Sequence, residues 1–220
     1  MTALNTKKKK VAFIGSYLPR KCGIDTFASD LINNMKLAAG QEFEPQVLAM
    51  QSAKELQYRK PAKLTIHKNI KYDYIRAADY INSNDDIYIV SLQHEFGLFG
   101  GAGGSYLNLL LERLNKPVIT TLHTILRNPT IDYFDSLTNV CSASQKIIVM
   151  NKRGIRMLQD IYDVTPFNIE LIPHGIPDLP FTENGHYKRI LGMAGRKTIL
   201  TFGLLNKIRV LRLCSWLYQQ

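Results

Sequence analysis

Short apolar runs that alternate with amphipathic stretches are the strongest constraint on the fold of this sequence. Seven runs are almost continuously apolar, at positions 11–14, 47–50, 64–66, 87–92, 118–122, 146–150 and 168–172. Such runs predict strands that are buried on both faces. The stretches between them repeat apolar residues at helical spacing, most clearly at 27–39, 75–81, 107–114, 131–144 and 152–162. The alternation predicts an α/β fold, a Rossmann-like parallel sheet of about seven strands flanked by helices.

Capping residues mark two of the predicted helices. The first is expected to begin at Asp25 or Thr26 and to end at Gly40, with an apolar face formed by Phe27, Leu31, Met35 and Ala39. Asn151 is expected to cap the helix that runs to Tyr162.

Four loops are predicted to carry the chemistry, because ligands of a parallel sheet bind at the carboxyl ends of its strands. They span residues 15–24, 93–104, 123–130 and 173–178. The first is too long for the tight G-x-G-x-x-G turn of a nicotinamide or flavin enzyme, and no Walker sequence is present. The glycine-rich segment 100–104 can present N–H groups to a phosphate or can be a plain flexible loop, and the sequence leaves both readings open.

Metal and disulfide spacings are absent from the sequence. The residue four positions after His94 is Leu98, so the His94-Glu95 pair does not begin a zinc motif. Cys22, Cys141 and Cys214 are widely spaced, which is typical of reduced thiols in a reducing compartment. We therefore expect no metal and a cytoplasmic location, an expectation that the lack of an apolar signal core or membrane span also favours.

The net charge of +10 could indicate a nucleic-acid partner. Six of the cations, however, are the lysines at 7–10 and Arg209 and Arg212 near the chain ends, and removing them from +10 leaves +4. We expect no nucleic-acid partner, while weak association with acidic membrane surfaces stays open.

The sequence after residue 178 has the pattern of the beginning of a second unit. The apolar run 198–202 predicts a strand, but residues 208–220 lack the cap and the charged face of the helix that should follow. For one allowed choice of codons, one extra adenine converts this tail into an amphipathic helix. We expect a basic tail at 1–9, a domain at 10–178, and a linker with only the first strand of a second Rossmann-like domain at 179–207. Residues 208–220 are then an out-of-frame tail, with a genuine divergent tail as the alternative.

Five segments, in order, resemble a GT-B glycosyltransferase of the retaining group called family 4. They are 19–27 (PRKCGIDTF), 121–124 (TLHT), 149–152 (VMNK), 172–176 (IPHGI) and 195–207 (GRKTILTFGLLNK). The resemblance implies two Rossmann-like domains, with a nucleotide-sugar donor held mainly by the second and an acceptor, a small molecule or glycan, held by the first. It departs at Leu204, where family members commonly have an arginine that neutralises the leaving diphosphate.

The resemblance also implies roles for individual residues. Gly23 would lie where the backbone approaches the donor diphosphate, with a simple turn glycine as the alternative. His123 would be catalytic, facing the donor sugar near the reacting carbon, with a core histidine as the alternative. The expected substrate-binding residues are Cys22, His94, Glu95 and Thr124, and His94 and Glu95 could equally serve loop packing. His174 and Gly175 are expected to form a structural hinge.

The sequence therefore suggests a glycosyltransferase that moves a sugar from a nucleotide-sugar donor to an acceptor hydroxyl with retention. The donor is a substrate, and no cofactor is expected. The acidic motif that holds the donor in this family would lie beyond residue 220, so the chain is expected to be inactive as written. Two alternatives remain open: a non-catalytic carbohydrate- or anion-binding domain, and a GT-B-like sugar-nucleotide epimerase. The oligomeric state is not predicted.

Overall fold

Seven parallel strands form one sheet in the computed structural model, which describes residues 8–20, 22–52, 58, 62–176 and 178–199. The strands are β1 (Lys9–Gly15), β2 (Phe43–Gln51), β3 (Ala62–His67), β4 (Ile87–His94), β5 (Val118–Leu122), β6 (Lys146–Val149) and β7 (Ile169–Leu171). The helices are α1 (Gly23–Ala39), α2 (Lys71–Asn82), α3 (Asn108–Leu111), α4 (Ile131–Ser142), α5 (Lys152–Tyr162) and α6 (Asn184–Ile190). The predicted fold class, a Rossmann-like parallel sheet flanked by helices, is confirmed.

The strand order β3-β2-β1-β4-β5-β6-β7 fixes where a ligand can enter the fold. The chain builds outward from β1 to β3 and then restarts beside β1 with β4, so successive connections diverge between β1 and β4. Such a switch point opens a crevice outside the carboxyl ends of the two strands. The loops that follow β1, β4 and β5 therefore border one region.

Three apolar clusters bury both faces of the sheet. The largest packs α2 and α3 on the central strands, with Leu48, Tyr74 and Leu92 among its fully buried members. A second packs α1 on β1 and β2, and a third packs α4 and α5 on β6. In α1 the deepest apolar residues are Ala28 and Ile32, one position along from the predicted stripe.

Several local predictions need correction. The N-cap of α1 is Cys22, and Asp25 lies three residues further along, inside the helix, where its carboxylate accepts a hydrogen bond from the Cys22 N–H (3.0 Å). The predicted helix at 107–114 is α-helical only over α3: Leu107 ends a 3₁₀ stretch that begins at Ala102, and residues 112–113 form a turn. The strand predicted as buried at 168–172 is the short, mostly exposed edge strand β7. Of the strand predicted at 198–202, the first two residues are irregular and the rest lies outside the described residues.

The glycine-rich segment 100–104 packs into the fold. The Gly100 N–H donates to the Tyr74 hydroxyl (3.0 Å), which itself donates to the Lys68 carbonyl (2.8 Å). The Gly100 carbonyl accepts from the Tyr106 N–H (3.0 Å). Because these groups are satisfied internally, the structure favours a packing role for the segment over phosphate binding.

The chain divides into two compact units, which meet in sequence at His174 and Gly175. The described part of the second unit contains α6, and the Lys188 ammonium donates to the Arg196 carbonyl within it (2.8 Å). The domain boundary expected at residue 178 remains a prediction. Among the described helices, none combines the length and hydropathy needed to cross a bilayer.

Gly100→Ala should destabilise the 220-residue chain. A Cβ at Gly100 would collide with the Lys68 carbonyl oxygen and the Tyr106 ring (2.7 Å), neither of which can move without disturbing the loop. We expect a loss of about 2 kcal/mol in the free energy of urea unfolding. Gly97→Ala in the same loop is the matched control, because no atom lies within 4 Å of its added Cβ. Equal effects for the two variants would contradict the packing role.

Candidate functional site

The pairing of β4 with β5 brings four of the six predicted site residues to one edge of the sheet. His94 pairs with Leu122 in the register, and the His123 N–H donates to the His94 carbonyl (3.0 Å). Glu95 and Thr124 each follow one of these histidines in the chain. The Thr124 hydroxyl donates to the Glu95 carboxylate (2.6 Å), which ties the two loops together.

Gln93 orients the imidazole of His123. The Gln93 amide nitrogen lies 3.3 Å from the Ser91 hydroxyl, and its carbonyl oxygen lies 3.0 Å from Nε2 of His123. An amide oxygen can only accept, so Nε2 of His123 is the protonated nitrogen in this arrangement. Nδ1 of His123 is then the nitrogen that carries the lone pair.

Gly15 provides the space for Gln93. A Cβ at Gly15 would lie 2.8 Å from the Gln93 Cβ, a separation that side chains do not tolerate. The glycine at the end of β1 therefore supports the orientation of His123 through Gln93. This contact crosses the switch point between β1 and β4.

Phe27 forms an aromatic wall beside His123. Its ring makes edge-to-face contacts with His123 (centroids 4.9 Å apart) and with His174 (5.2 Å). Phe27 lies one turn after Gly23 on α1, so the helix start also borders this region. All three rings belong to the first compact unit.

His123 is neutral at physiological pH. Burial, assisted by the nearby His174, lowers its pKa from an ordinary 6.5 to about 4. Both effects disfavour the charged imidazolium. A neutral imidazole with a fixed tautomer can accept a hydrogen bond or a proton but adds no positive charge to the site.

The start of α1 is already capped by an acidic side chain. Asp25 is fully buried, and besides the Cys22 N–H its carboxylate accepts from the Cys22 thiol (3.0 Å). Gly23 is exposed, and a Cβ added to it would meet no atom within 4 Å. The negative charge of Asp25 competes with any anion at this helix start. The predicted roles of Gly23 in diphosphate binding and of Cys22 in substrate binding remain predictions.

His94 lies in the core rather than in the crevice. Its side chain is fully buried, stacked on Phe99 (5.8 Å) and edge-on to Phe96 (5.0 Å). Neither ring nitrogen has a hydrogen-bond partner among the described residues. Burial, and secondarily the nearby His123, lowers the pKa of His94 to about 3. This environment favours packing over the predicted substrate contact.

A cavity of about 400 Å³ opens beside His123 and Thr124. Its wall includes Arg127 from the loop after β5 and Arg153 from the first turn of α5, whose N-cap Asn151 accepts from the Gly154 N–H (2.9 Å) as predicted. In the part of the chain that the structure describes, no cluster of three His, Cys, Asp or Glu residues could hold a metal ion.

Sequence reasoning missed Gln93, Phe27 and the two cavity arginines. Gln93 carries a usable signal, because it is a polar residue at the carboxyl end of an apolar strand. Phe27 fits the pattern of an apolar helix face, so the sequence does not predict its contact with His123. The sequence around Arg127 and Arg153 does not indicate that they line one cavity, because this depends on how the loop after β5 packs against α5.

Comparisons with known proteins give a fold but no family. No family model matches the sequence, and no curated protein matches it. A solved glycosyltransferase from Rickettsia africae ESF-5 has a TM-score of 0.54 at 11% identity, covering 84% of this chain. An alpha-glucosyltransferase in complex with UDP and a 13-mer DNA containing a central A:G mismatch has a TM-score of 0.42 at 12% identity, covering 65% of this chain and 37% of its own.

The similarity to the Rickettsia protein shows that this chain has a fold found in a glycosyltransferase. The chain spans about half the length of that protein, since the aligned region covers 50% of it.

His94→Leu should make the protein less sensitive to acid. The folded-state pKa of His94, about 3, lies below its ordinary 6.5. As the pH falls through 6.5 the unfolded state therefore takes up the proton first, and stability present above that pH is lost toward pH 3. The loss is about 1.4 kcal/mol per pH unit for each such histidine.

Urea unfolding at about pH 7, 6 and 5 measures this slope, because these values bracket the ordinary histidine pKa. His94→Leu should reduce this slope by the contribution of one histidine, whereas His186→Leu, an exposed control whose ring contacts Tyr187, should not. An unchanged slope in His94→Leu would contradict a neutral, buried His94.

Proposed function

We propose that this chain is the acceptor-side part of a retaining GT-B glycosyltransferase that transfers a sugar from a nucleotide-sugar donor to an acceptor hydroxyl. The observation that carries the proposal is a neutral, oriented His123 in the crevice region of a fold shared with a glycosyltransferase. The order of the family-like segments in the sequence supports the same assignment. We propose that the enzyme needs no metal.

The low pKa of His123 suits glycosyl transfer. The transition state of glycosyl transfer resembles an oxocarbenium ion, so positive charge develops at the sugar carbon. An imidazolium beside that carbon would repel the developing charge, whereas a neutral imidazole accepts hydrogen bonds without that penalty. The burial that lowers the pKa of His123 thus supports a catalytic role near the reacting carbon.

Glu95 and Thr124 are suited to hold acceptor hydroxyls. Both are half-buried, and the hydrogen bond between them leaves one carboxylate oxygen of Glu95 with capacity to accept. Their position follows directly from β4 and β5, so acceptor groups bound there would lie near His123. We propose that these two residues, rather than His94, contact the acceptor.

Donor binding is proposed to depend on a second Rossmann-like domain. The expected out-of-frame tail at 208–220 lies outside the described residues, and both the truncation and the frameshift remain predictions. Sequencing the locus just past codon 207 tests them: a downstream frame encoding the missing domain supports the glycosyltransferase, and its absence favours a stand-alone binding domain.

Restoring the frame after codon 207 should create donor binding. Calorimetry with a panel of nucleotide sugars should find at least one that binds the longer protein about ten or more times as tightly as the 220-residue chain. The reason is that the ribose and diphosphate contacts are assigned to the second domain. Equal affinity for both proteins would contradict this division of roles.

His123→Ala in the frame-restored protein should impair turnover more than donor binding. We expect turnover to fall by roughly a hundredfold or more, typical of a positioned active-site group, with the donor Kd changed only a few fold. Tyr88→Ala, which removes an exposed ring of the same unit near the start of β4, at the opposite end of that strand from His94, should leave turnover unchanged. A His123→Ala protein with a lower melting temperature and full activity would mean that His123 is a core residue only.

An epimerase would behave differently in the same assay. It would convert or hydrolyse the nucleotide sugar without any acceptor, whereas the proposed transferase releases nucleoside diphosphate in proportion to a glycosylated product. Measuring both products in one reaction separates the two activities.

A further inference from the structure

Two adjoining cavities on the first compact unit share a basic wall. The cavity of about 400 Å³ beside His123 is bordered by Arg127, Arg153 and Met157. A second cavity, of about 330 Å³, is bordered by the same three residues and by Arg156. Arg153 and Arg156 lie three positions apart on α5, so they occupy neighbouring positions on one side of the helix.

The positive charge of this wall is not neutralised within the described part of the fold. None of the three guanidinium groups makes an ion pair or a hydrogen bond with another described residue. Other basic side chains do find partners, as Arg76 does with Asp73 (3.3 Å). Asp160 is the one carboxylate among the described residues that line the second cavity, and the first has none. Three arginines against one aspartate leave an excess of positive charge.

The shape and the chemistry of the wall favour a small anionic ligand. Cavities of a few hundred Å³ are typical of small-molecule sites, whereas a nucleic acid or a membrane requires an extended basic surface. Arginine presents paired N–H donors that match the oxygens of a phosphate, and it keeps its charge at any physiological pH. The apolar lining around Met157 suits the carbon skeleton of such a ligand.

We propose that Arg127 and Arg153 bind a phosphate monoester carried by the acceptor. This inference rests on the proposed function, in which His123 and Thr124 border the reacting end of the same 400 Å³ cavity. The acceptor is then a phosphorylated small molecule, anchored by its phosphate and presenting a hydroxyl toward His123. Arg156 adds positive charge from the second cavity.

Binding to the 220-residue chain tests the proposal without a donor. Titrations followed by nuclear magnetic resonance would use inorganic phosphate, glucose 6-phosphate and glucose. We expect both phosphates to shift signals of residues around the cavity and glucose to bind at least about ten times more weakly than glucose 6-phosphate. The double variant Arg127→Gln/Arg153→Gln should weaken phosphate binding by about tenfold or more.

A charge-matched control separates this site from general basicity. Lys36→Gln/Lys63→Gln removes two exposed cations from the same unit and should change phosphate affinity less than about twofold. Because all four side chains are exposed, both double variants should keep the melting temperature of the parent protein. Equal losses in the two double variants, or no loss in the arginine variant, would overturn the proposal.

Vesicle binding distinguishes a soluble phosphate monoester from a lipid headgroup as the ligand. Phosphatidylcholine vesicles containing phosphatidic acid present the same monoester on a membrane. Binding to these vesicles without binding to the soluble phosphates would overturn the small-molecule assignment.

The two proposals fail separately. If phosphate binding depends on the arginines but the frame-restored protein transfers no sugar, the proposed glycosyltransferase activity is contradicted and the proposed phosphate site is supported. If sugar is transferred only to unphosphorylated acceptors, the proposed glycosyltransferase activity is supported and the proposed phosphate site is contradicted.

Discussion

The parallel pairing of β4 with β5 is the interaction on which the candidate site depends. It fixes the register of Gln93 and His94 against the end of β5, and Glu95 is the next residue of the chain. Consecutive side chains of a strand point to opposite faces, so Gln93 and Glu95 can reach partners on β5's loop while His94 turns into the core. The observed contacts follow this alternation: Gln93 bonds His123, Glu95 accepts from Thr124, and His94 stacks on Phe99. One backbone register thus determines which polar residues serve the crevice and which serve packing.

Burial affects the two histidines of this register in the same direction but with different consequences. Both are neutral, since burial lowers the pKa of each. His94 lacks a polar partner among the described residues, so its burial costs stability without a compensating hydrogen bond there. His123 keeps one nitrogen bonded to Gln93 and the other as an acceptor, which is the arrangement that the proposed chemistry near a developing positive charge requires. The two histidines differ because His94 is the last residue of β4 and packs into the core, whereas His123 is the first residue after β5 and reaches Gln93.

The sheet could be predicted from the sequence because its strands are almost continuously apolar, and only a sheet covered on both faces can bury such runs. Prediction failed where tertiary contacts override local pattern. Cys22 is a poor N-cap by residue type, yet Asp25 supplies the charge from inside the helix. The local sequence of segment 100–104 does not predict that it packs against Tyr74 and Lys68.

The site was predictable only in part, for a related reason. Adjacency in sequence does not distinguish His94 from Glu95, although strand alternation sends one into the core and the other toward the crevice. Arg127 and Arg153 could not be found at all, because the residues between them, which include α4 and β6, must fold before the two arginines meet.

In the proposed function, the cavity beside His123 separates anchoring of the acceptor from chemistry. Its basic wall comes from α5 and the loop after β5, while the pKa of His123 is set by burial and by His174. Neither of those causes involves the arginines. A phosphate neutralised by Arg127 and Arg153 therefore leaves the neutral state of His123 intact, and an acceptor can be held tightly at one end without placing a charge at the other. The proposal therefore assigns chemistry to His123 at the start of the loop after β5, and anchoring to Arg127 later in the same loop and to Arg153 on α5.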